Sequence, residues 1–181
     1  MKKSGFTLAE VLVTLSIIGV VAALTLPQLV SNNTNRVLEV QIKKFYTSLV
    51  SGIDRYKVMN DVDTFTDITN YSAQNFVNSV FRVSGECANA TANGCFATTY
   101  KTQSKDMYHN GQPNISPAVG NNGSAVYKLA DGTVFSAGRD GNNINITLDV
   151  NGSKGPNIAG KDLWQIQVTP RGVIQDRDPL N

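Results

Sequence analysis

Residues Val11–Leu26 read VLVTLSIIGVVAALTL, and this apolar stretch decides how the rest of the chain is organised. With Phe6–Glu10 in front of it, the stretch covers about 21 positions, close to the ~20 residues that a helix needs to span a hydrocarbon core. No charged residue occurs between Glu10 and Arg36. The sequence therefore predicts a membrane-spanning helix near the N-terminus.

Basic residues precede this apolar stretch. Lys2 and Lys3 predict that its N-terminal end stays in the cytoplasm and that the chain after Leu26 is exported. A secretory signal peptide cut after small residues such as Ala23, an unprocessed single-span anchor and a leader cut before the helix all have this pattern. Glu10 separates them, because a carboxylate near the centre of a membrane helix costs about 2.5–3.5 kcal/mol and has no evident partner in a simple anchor.

The segment KKSGFTLAE, Lys2–Glu10, closely resembles the processing site of type IV prepilins and type II secretion pseudopilins. In that family a membrane prepilin peptidase cuts after the glycine and methylates the new N-terminal amine. The resemblance implies cleavage between Gly5 and Phe6, N-methylation of Phe6 and loss of residues 1–5 as a leader. Glycine suits the position before the cut, because it leaves the backbone unobstructed.

The same resemblance gives Glu10 a role in assembly. In the family, this glutamate neutralises the N-terminal amine of its own or a neighbouring subunit as subunits dock in the membrane. Glu10 lies four residues after Phe6, on the same face of a helix, and pairing the two charges would offset part of their desolvation cost. The alternative is a glutamate near the interface whose carboxylate reaches water.

Gly19 and Pro27 interrupt the predicted helix of residues 6–29, which would serve as membrane span and filament core. Glycine lowers helix propensity and proline deletes a backbone hydrogen bond, so the segment between them is a place to bend or unwind. In some pilins, helix breakers at equivalent positions allow local unwinding in the filament. A simple kink at Pro27, where the helix leaves the bilayer, is an equally good interpretation.

Residues 30–59 continue the helical pattern but are amphipathic. One stripe is apolar and charged residues occupy the other faces, which predicts that this part of the helix packs on a soluble domain. The stripe consists of Leu38, Ile42, Phe45, Leu49, Ile53 and Tyr56.

Residues 60–122 are rich in Asn, Ser, Thr and Gly, which predicts an elaborated connecting region with one short helix at Ala73–Phe81. The region contains both cysteines, Cys87 and Cys95. An exported segment enters an oxidising compartment, so a disulfide between them is favoured over a reactive or metal-binding thiol pair.

Residues 123–181 contain short alternating runs separated by turns, which predicts an antiparallel meander. The predicted strands are Ala125–Leu129, Thr133–Ser136, Asn143–Val150, Trp164–Thr169 and Val173–Gln175. The expected fold class is α+β, with one long N-terminal helix packed on a small antiparallel β-sheet. This order of elements resembles the pilin fold.

A polar loop between two of these strands offers oxygen ligands on Asp149, Asn151 and Asp162. Such ligands suit a hard cation, and some type II secretion pseudopilins bind calcium in a loop of this region. The spacing here is neither theirs nor that of an EF-hand. A plain turn between strands is therefore favoured, with calcium as the alternative cofactor and no other cofactor expected.

Composition excludes several classes of function. Sixteen basic and fourteen acidic side chains give a net charge of +2, which predicts no nucleic acid as the main ligand. Motifs for nucleotide binding, metalloproteases and nucleophile elbows are absent, and His109 is the single histidine, so no enzymatic activity is expected.

The resemblance implies a structural subunit of a type IV filament, in a pilus or a type II secretion pseudopilus, whose N-terminal segments share one motif. Its partners would be copies of itself, the prepilin peptidase, an inner-membrane assembly platform and, before assembly, membrane lipid. The precursor would span the inner membrane once, with a cytoplasmic N-terminus, and the product would be a periplasmic or cell-surface filament.

A minor pilin that adheres to surfaces or captures DNA is the alternative function. It would use Tyr100, Lys101, Lys105 and Tyr108, a small basic and aromatic group in the connecting region. A solvated loop is the favoured interpretation of these residues.

Overall fold

Two compact units, Met1–Val37 and Leu38–Asn181, make up the chain in the structure, a computed structural model. The residues that the structure describes are 5, 7–68, 71–88, 90–91, 94–101, 114–115 and 125–177.

Helix α1 runs over Leu8–Asn60 and includes Pro27 in its interior. Both predicted helical segments, the apolar one and the amphipathic one, are therefore confirmed as helix. The polar run at 31–35, which interrupts the hydrophobic pattern, is helical as well. Proline removes one helical hydrogen bond and crowds the carbonyl four residues earlier, but the helical assignment of α1 continues through Pro27.

In the second unit, one face of α1 is buried against the β-sheet. The predicted apolar stripe is confirmed, because five of its residues are buried and Ile42 packs at the edge of the same core. Phe45 stacks on Phe81 with ring centroids 4.9 Å apart and meets Phe135 of the sheet edge-on at 5.5 Å. The buried five are Leu38, Phe45, Leu49, Ile53 and Tyr56.

Within the described residues, eight strands form two antiparallel sheets. The strands are β1 (Gly85–Cys87), β2 (Tyr100–Lys101), β3 (Asn114–Ile115), β4 (Val126–Lys128), β5 (Val134–Asp140), β6 (Asn143–Asp149), β7 (Leu163–Val168) and β8 (Ile174–Arg177). The main sheet has the order β1-β4-β5-β6-β7-β8, and β2 pairs with β3 separately. From β4 to β8 each strand pairs with the next one in the chain, which confirms the predicted meander and the α+β fold class.

Strand β1 was not indicated by the hydrophobic pattern. It is a short edge strand whose residue Glu86 pairs with Tyr127 of β4, and most of it is exposed. A solvated strand of three residues leaves no alternation in the sequence, so only its backbone partner defines it.

Helix α2 (Ala73–Val80) confirms the predicted short helix, with Phe81 as its C-cap. The hydroxyl of Ser72 accepts a hydrogen bond from the Asn75 amide and caps its start. At its other end the Arg55 guanidinium of α1 donates to the carbonyls of Ser79 and Val80 at 2.8 and 3.1 Å. This contact satisfies terminal carbonyls of α2 and ties the two helices together.

Gly52 lets α1 and α2 approach each other closely. A Cβ atom at this position would lie 2.8 Å from the carbonyl oxygen of Val80 and would overlap the Val80 side chain. The buried face of α2 therefore packs directly on the α1 backbone at this point.

Candidate processing and assembly site

The predicted cleavage position lies at the start of α1. Gly5 is exposed and outside the helix, and a Cβ atom built on it meets nothing within 4 Å. Phe6, the predicted site of methylation, lies outside the described residues. The helix itself begins at Leu8.

Thr7 and Glu10 cap this helix start reciprocally. The Thr7 amide and hydroxyl each donate a hydrogen bond of 2.8 Å to Oε2 of Glu10, and the Glu10 amide donates to the Thr7 hydroxyl oxygen at 3.3 Å. The Thr7 carbonyl accepts the first helical bond, from Val11, at 3.3 Å. This arrangement is a capping box with Thr7 as N-cap and Glu10 as the third helical residue.

The capping box gives Glu10 a partner within its own chain. The sequence motif indicates Gly5, Phe6 and Glu10 but not Thr7, although Thr-x-x-Glu before an apolar run is the sequence pattern of a capping box. Both hydrogen bonds to the carboxylate use the same oxygen, Oε2. Glu10 also lies at the helix end where the macrodipole favours negative charge.

The apolar half of α1 has no cover within the first unit. Among the described residues, α1 is the helix long and apolar enough to cross a membrane, judged by length and composition alone. A contiguous apolar surface of this size indicates contact with lipid or with other protein. Its exposed large residues include Leu12, Val13, Leu15, Ile17, Ile18, Val20, Val21, Leu24 and Leu26.

Hydroxyl side chains in this half of the helix donate hydrogen bonds to backbone carbonyls of the preceding turn. Ser16 donates to the carbonyl of Leu12 at 2.8 Å, and Thr25 donates to that of Val21 at 2.9 Å. Thr14 likewise bonds the carbonyl of Glu10 at 3.0 Å. These bonds leave fewer polar groups to desolvate, which suits a helix surrounded by lipid.

Gly19 and Pro27 both lie inside continuous helix, and space around Gly19 is open. Their suggested part in local unwinding stays a prediction.

A disulfide joins Cys87 to Cys95, as the sequence predicted. Cys95 is buried in a small second core beneath this loop, whereas Cys87 is partly exposed. The other buried members of this core are Phe96, Ala97, Tyr100, Val126, Val134 and Leu163.

Two buried carboxylates organise the loop between β6 and β7. Asp149 accepts hydrogen bonds from the Tyr100 hydroxyl and, at 3.0 Å, from the Asn151 amide. Asp162 accepts 2.6 Å bonds from the amides of Asn157 and Ile158. Each of the four carboxylate oxygens thus has a protein donor, as expected for a loop that is closed by its own turns.

Burial dominates the electrostatics of this pair. Burial raises the pKa of Asp149 to about 7, although its hydrogen bonds with Tyr100 and Asn151 act in the opposite direction. The pKa of Asp162 is also raised by burial. Removal from water disfavours the charged form of a carboxyl group, so both groups hold their protons more tightly than they would in solvent.

Protein donors already occupy the carboxylate oxygens of two of the three predicted calcium ligands. Each of these oxygens of Asp149 and Asp162 accepts a hydrogen bond. The side-chain Nδ2 of Asn151 donates to the Gly155 carbonyl at 3.1 Å. The buried Oδ1 of Asn151 has no partner within the described part of the chain. No cluster of three or more His, Cys, Asp or Glu side chains suited to a metal occurs among the described residues. The geometry favours the plain turn, and calcium binding stays a prediction.

One member of the predicted basic and aromatic group, Tyr100, does not lie on the surface. Tyr100 is fully buried, because its ring fills the second core and its hydroxyl bonds Asp149. Lys101 is exposed, while Lys105, Tyr108 and His109 lie outside the described residues. Including Tyr100 in an adhesive or DNA-binding surface was therefore wrong.

Comparison with known proteins identifies the N-terminal segment. Residues 1–26 match the family model described as the prokaryotic N-terminal methylation motif, which confirms the resemblance to the signature of type IV prepilins and pseudopilins. No curated protein and no solved structure matches the chain. The matched residues contain the predicted cleavage position, the capping box and most of the exposed apolar part of α1.

Proposed function

We propose that this chain is a structural subunit of a type IV filament, either a pilin or a type II secretion pseudopilin. The observation that carries the proposal is the methylation motif at residues 1–26, which includes most of the exposed apolar half of α1. The motif points to a structural subunit rather than an enzyme.

In this mechanism the precursor is first held in the inner membrane by α1, with Lys2 and Lys3 on the cytoplasmic side. A prepilin peptidase then cuts after Gly5 and methylates the amine of Phe6. The membrane-anchored precursor fits both the motif and the apolar helix. The assembly platform would be its next partner.

Assembly exchanges lipid for protein around the apolar half of α1. Helices from neighbouring copies bury one another's apolar surfaces, and the sheet-containing unit stays in water. Because lipid is as apolar as these side chains, close packing and charge pairing supply the driving force rather than the hydrophobic effect. The new amine at Phe6 and the carboxylate of Glu10 are the charges available to pair in this apolar setting.

Mass spectrometry of sheared filaments tests the proposal. The expected species begins at Phe6 and has the mass of one added methyl group, and its abundance separates a main subunit from a minor one. An intact N-terminus, or a cut near Ala23 as in a secretory signal peptide, would contradict the mechanism. The alternative minor pilin is expected to be scarce in the same preparation.

Substitution at the cut provides a second test. Gly5→Leu is expected to leave full-length precursor in the membrane, because a bulky side chain obstructs the scissile bond. Gly155→Leu is a matched control, since space is also open around that exposed loop glycine of the other unit. Normal processing of the Gly5 variant would refute the assigned cleavage site.

A further inference from the structure

The start of α1 lies close to the end of the segment that is to be removed. Gly5 is outside the helix, Thr7 is the N-cap and Leu8 is the first helical residue. Only Phe6 and Thr7 separate Gly5 from the helix. The residue at which α1 begins therefore decides whether the peptide bond after Gly5 lies inside or outside helical structure.

A peptidase needs backbone that is free of regular secondary structure, because the scissile bond must enter its active site in extended form. In a helix the carbonyl of a residue is directed along the axis toward the amide four residues later. A helix that included Gly5 and Phe6 would bind these groups internally. Cleavage would then require the first turn to unwind.

Without its present cap, α1 has a reason to extend toward the N-terminus. The first amides of a helix lack internal partners, and leaving them near lipid is costly, so an uncapped end is favoured to continue until it reaches water or another cap. Ser4 is the nearest upstream residue of a type that caps helices. A helix capped there would take in both residues of the scissile bond.

We propose that Thr7 is a positioning residue for removal of the leader. Its hydroxyl and its reciprocal bonds with Glu10 fix the start of α1 at Leu8 and keep Gly5, the residue before the scissile bond, outside the helix for the prepilin peptidase. This inference rests on the proposed function, because it assumes that the bond is cut. Thr7 itself takes no part in the chemistry of cleavage.

The test compares cleavage rates of full-length precursors that carry Thr7→Ala, Thr7→Ser or Thr7→Asn, incubated with prepilin peptidase in detergent. Alanine is a poor N-cap and a strong helix former, so its cleavage should be slower by about fivefold, the factor that a lost N-cap imposes on a helix end. Serine and asparagine restore a capping oxygen and should return the rate close to that of the parent chain. Thr14→Ala is the matched control, because Thr14 bonds only to carbonyls within the helix.

Carbon-13 Cα chemical shifts of Gly5 and Phe6, measured on the same full-length precursors in micelles, report where the helix begins. They should move toward helical values in Thr7→Ala and stay unchanged in Thr7→Ser. Equal cleavage rates for these two variants would overturn the inference. So would slow cleavage of Thr7→Ala without a helical shift, because the peptidase would then be recognising the side chain directly. A parent chain that is not cut after Gly5 would instead refute the proposed function.

Discussion

The hydroxyl of Tyr100 donates a hydrogen bond to Oδ2 of Asp149, and both residues are fully buried. The same hydroxyl oxygen accepts a 3.1 Å bond from the Ala97 amide. Tyr100 thus connects the segment after the disulfide to the end of β6, across a sequence separation of 49 residues. The ring of Tyr100 thus packs in the second core while its hydroxyl is hydrogen-bonded to the buried carboxylate of Asp149.

We expect Tyr100→Phe to lower the free energy of unfolding by about 1–3 kcal/mol, because it leaves a buried carboxylate oxygen and a buried amide without their partner. Denaturant unfolding of the full chain in detergent, followed by the fluorescence of the single tryptophan Trp164, measures the change. Tyr127→Phe is the matched control, since the ring of this tyrosine is buried but its hydroxyl has no hydrogen-bond partner in the described part of the chain. This variant should unfold nearly as the parent chain does.

Stability should depend on pH through Asp149. Its pKa is about 7 in the folded chain against an ordinary value of 3.8, so the folded state binds the proton more tightly. The resulting stabilisation is fully present below pH 3.8 and is lost as the pH rises through about 7. Asp162 and Tyr100 are the titratable groups that face Asp149, and the raised pKa of Asp162 gives a slope of the same sign.

The measurement is the unfolding midpoint between pH 5 and pH 8, compared with Asp149→Asn. The parent chain should become less stable over this interval, and the difference between the two proteins should follow the titration of one buried carboxyl group. Parallel pH profiles for the two proteins would show that Asp149 is not responsible.

The disulfide between Cys87 and Cys95 should raise the free energy of unfolding of the unit that contains the second core. Closing a loop of eight residues' separation is worth about 2–3 kcal/mol in the chain-entropy model. A reductant is therefore expected to lower the unfolding midpoint of the parent chain. The double variant Cys87→Ala and Cys95→Ala should unfold at a lower midpoint than the parent chain, and reductant should not change that midpoint. A parent midpoint that reductant leaves unchanged would contradict the prediction.

Most of the fold could be predicted because most of its helices and strands have a hydrophobic pattern in consecutive residues. The stripe on α1 and the strands from β4 to β8 follow from hydrophobic periodicity, and glycines at positive φ mark their turns, as Gly132 and Gly172 do after β4 and before β8. Burial of Tyr100 was not predictable in this way, since its partner Asp149 is distant in sequence and its own neighbours are polar.

At the candidate site, the contact between Thr7 and Glu10 was not predicted, for a different reason. Its Thr-x-x-Glu pattern is local and visible, but the resemblance to prepilins already assigns Glu10 a predicted role in assembly, and this assignment draws attention away from its contact as a helix cap. One residue gives one sequence signal even where two roles are open to it, and only the structure shows the contact of Glu10 with Thr7.

Gly52→Ala should destabilise the contact between α1 and α2. The added methyl group would lie 2.8 Å from the Val80 carbonyl oxygen, and overpacking of this kind costs about 1–3 kcal/mol. Thermal unfolding measures the loss. Gly155→Ala is the control, because a Cβ atom there meets nothing within 4 Å. Equal midpoints for the two variants would mean that the helices separate at little cost.

Glu10→Gln separates the capping role of this residue from its charge. Glutamine at the third helical position still accepts the Thr7 amide bond, so the helix should begin at Leu8 and the leader should be removed at the parent rate. The variant cannot neutralise the amine of Phe6, and leaving that charge unpaired in apolar surroundings is costly. Filament yield should therefore fall by at least about tenfold while mature subunit accumulates in the membrane.

Glu10→Ala completes this comparison, because it removes both the charge and the bond from the Thr7 amide while the Thr7 hydroxyl can still accept from the backbone of residue 10. It should be cleaved, since this remaining bond keeps the cap, and it should fail in assembly as Glu10→Gln does. Immunoblots of membranes and of sheared filaments measure both steps. If Glu10→Gln assembled normally and Glu10→Ala did not, hydrogen bonding rather than charge would be what assembly requires of Glu10.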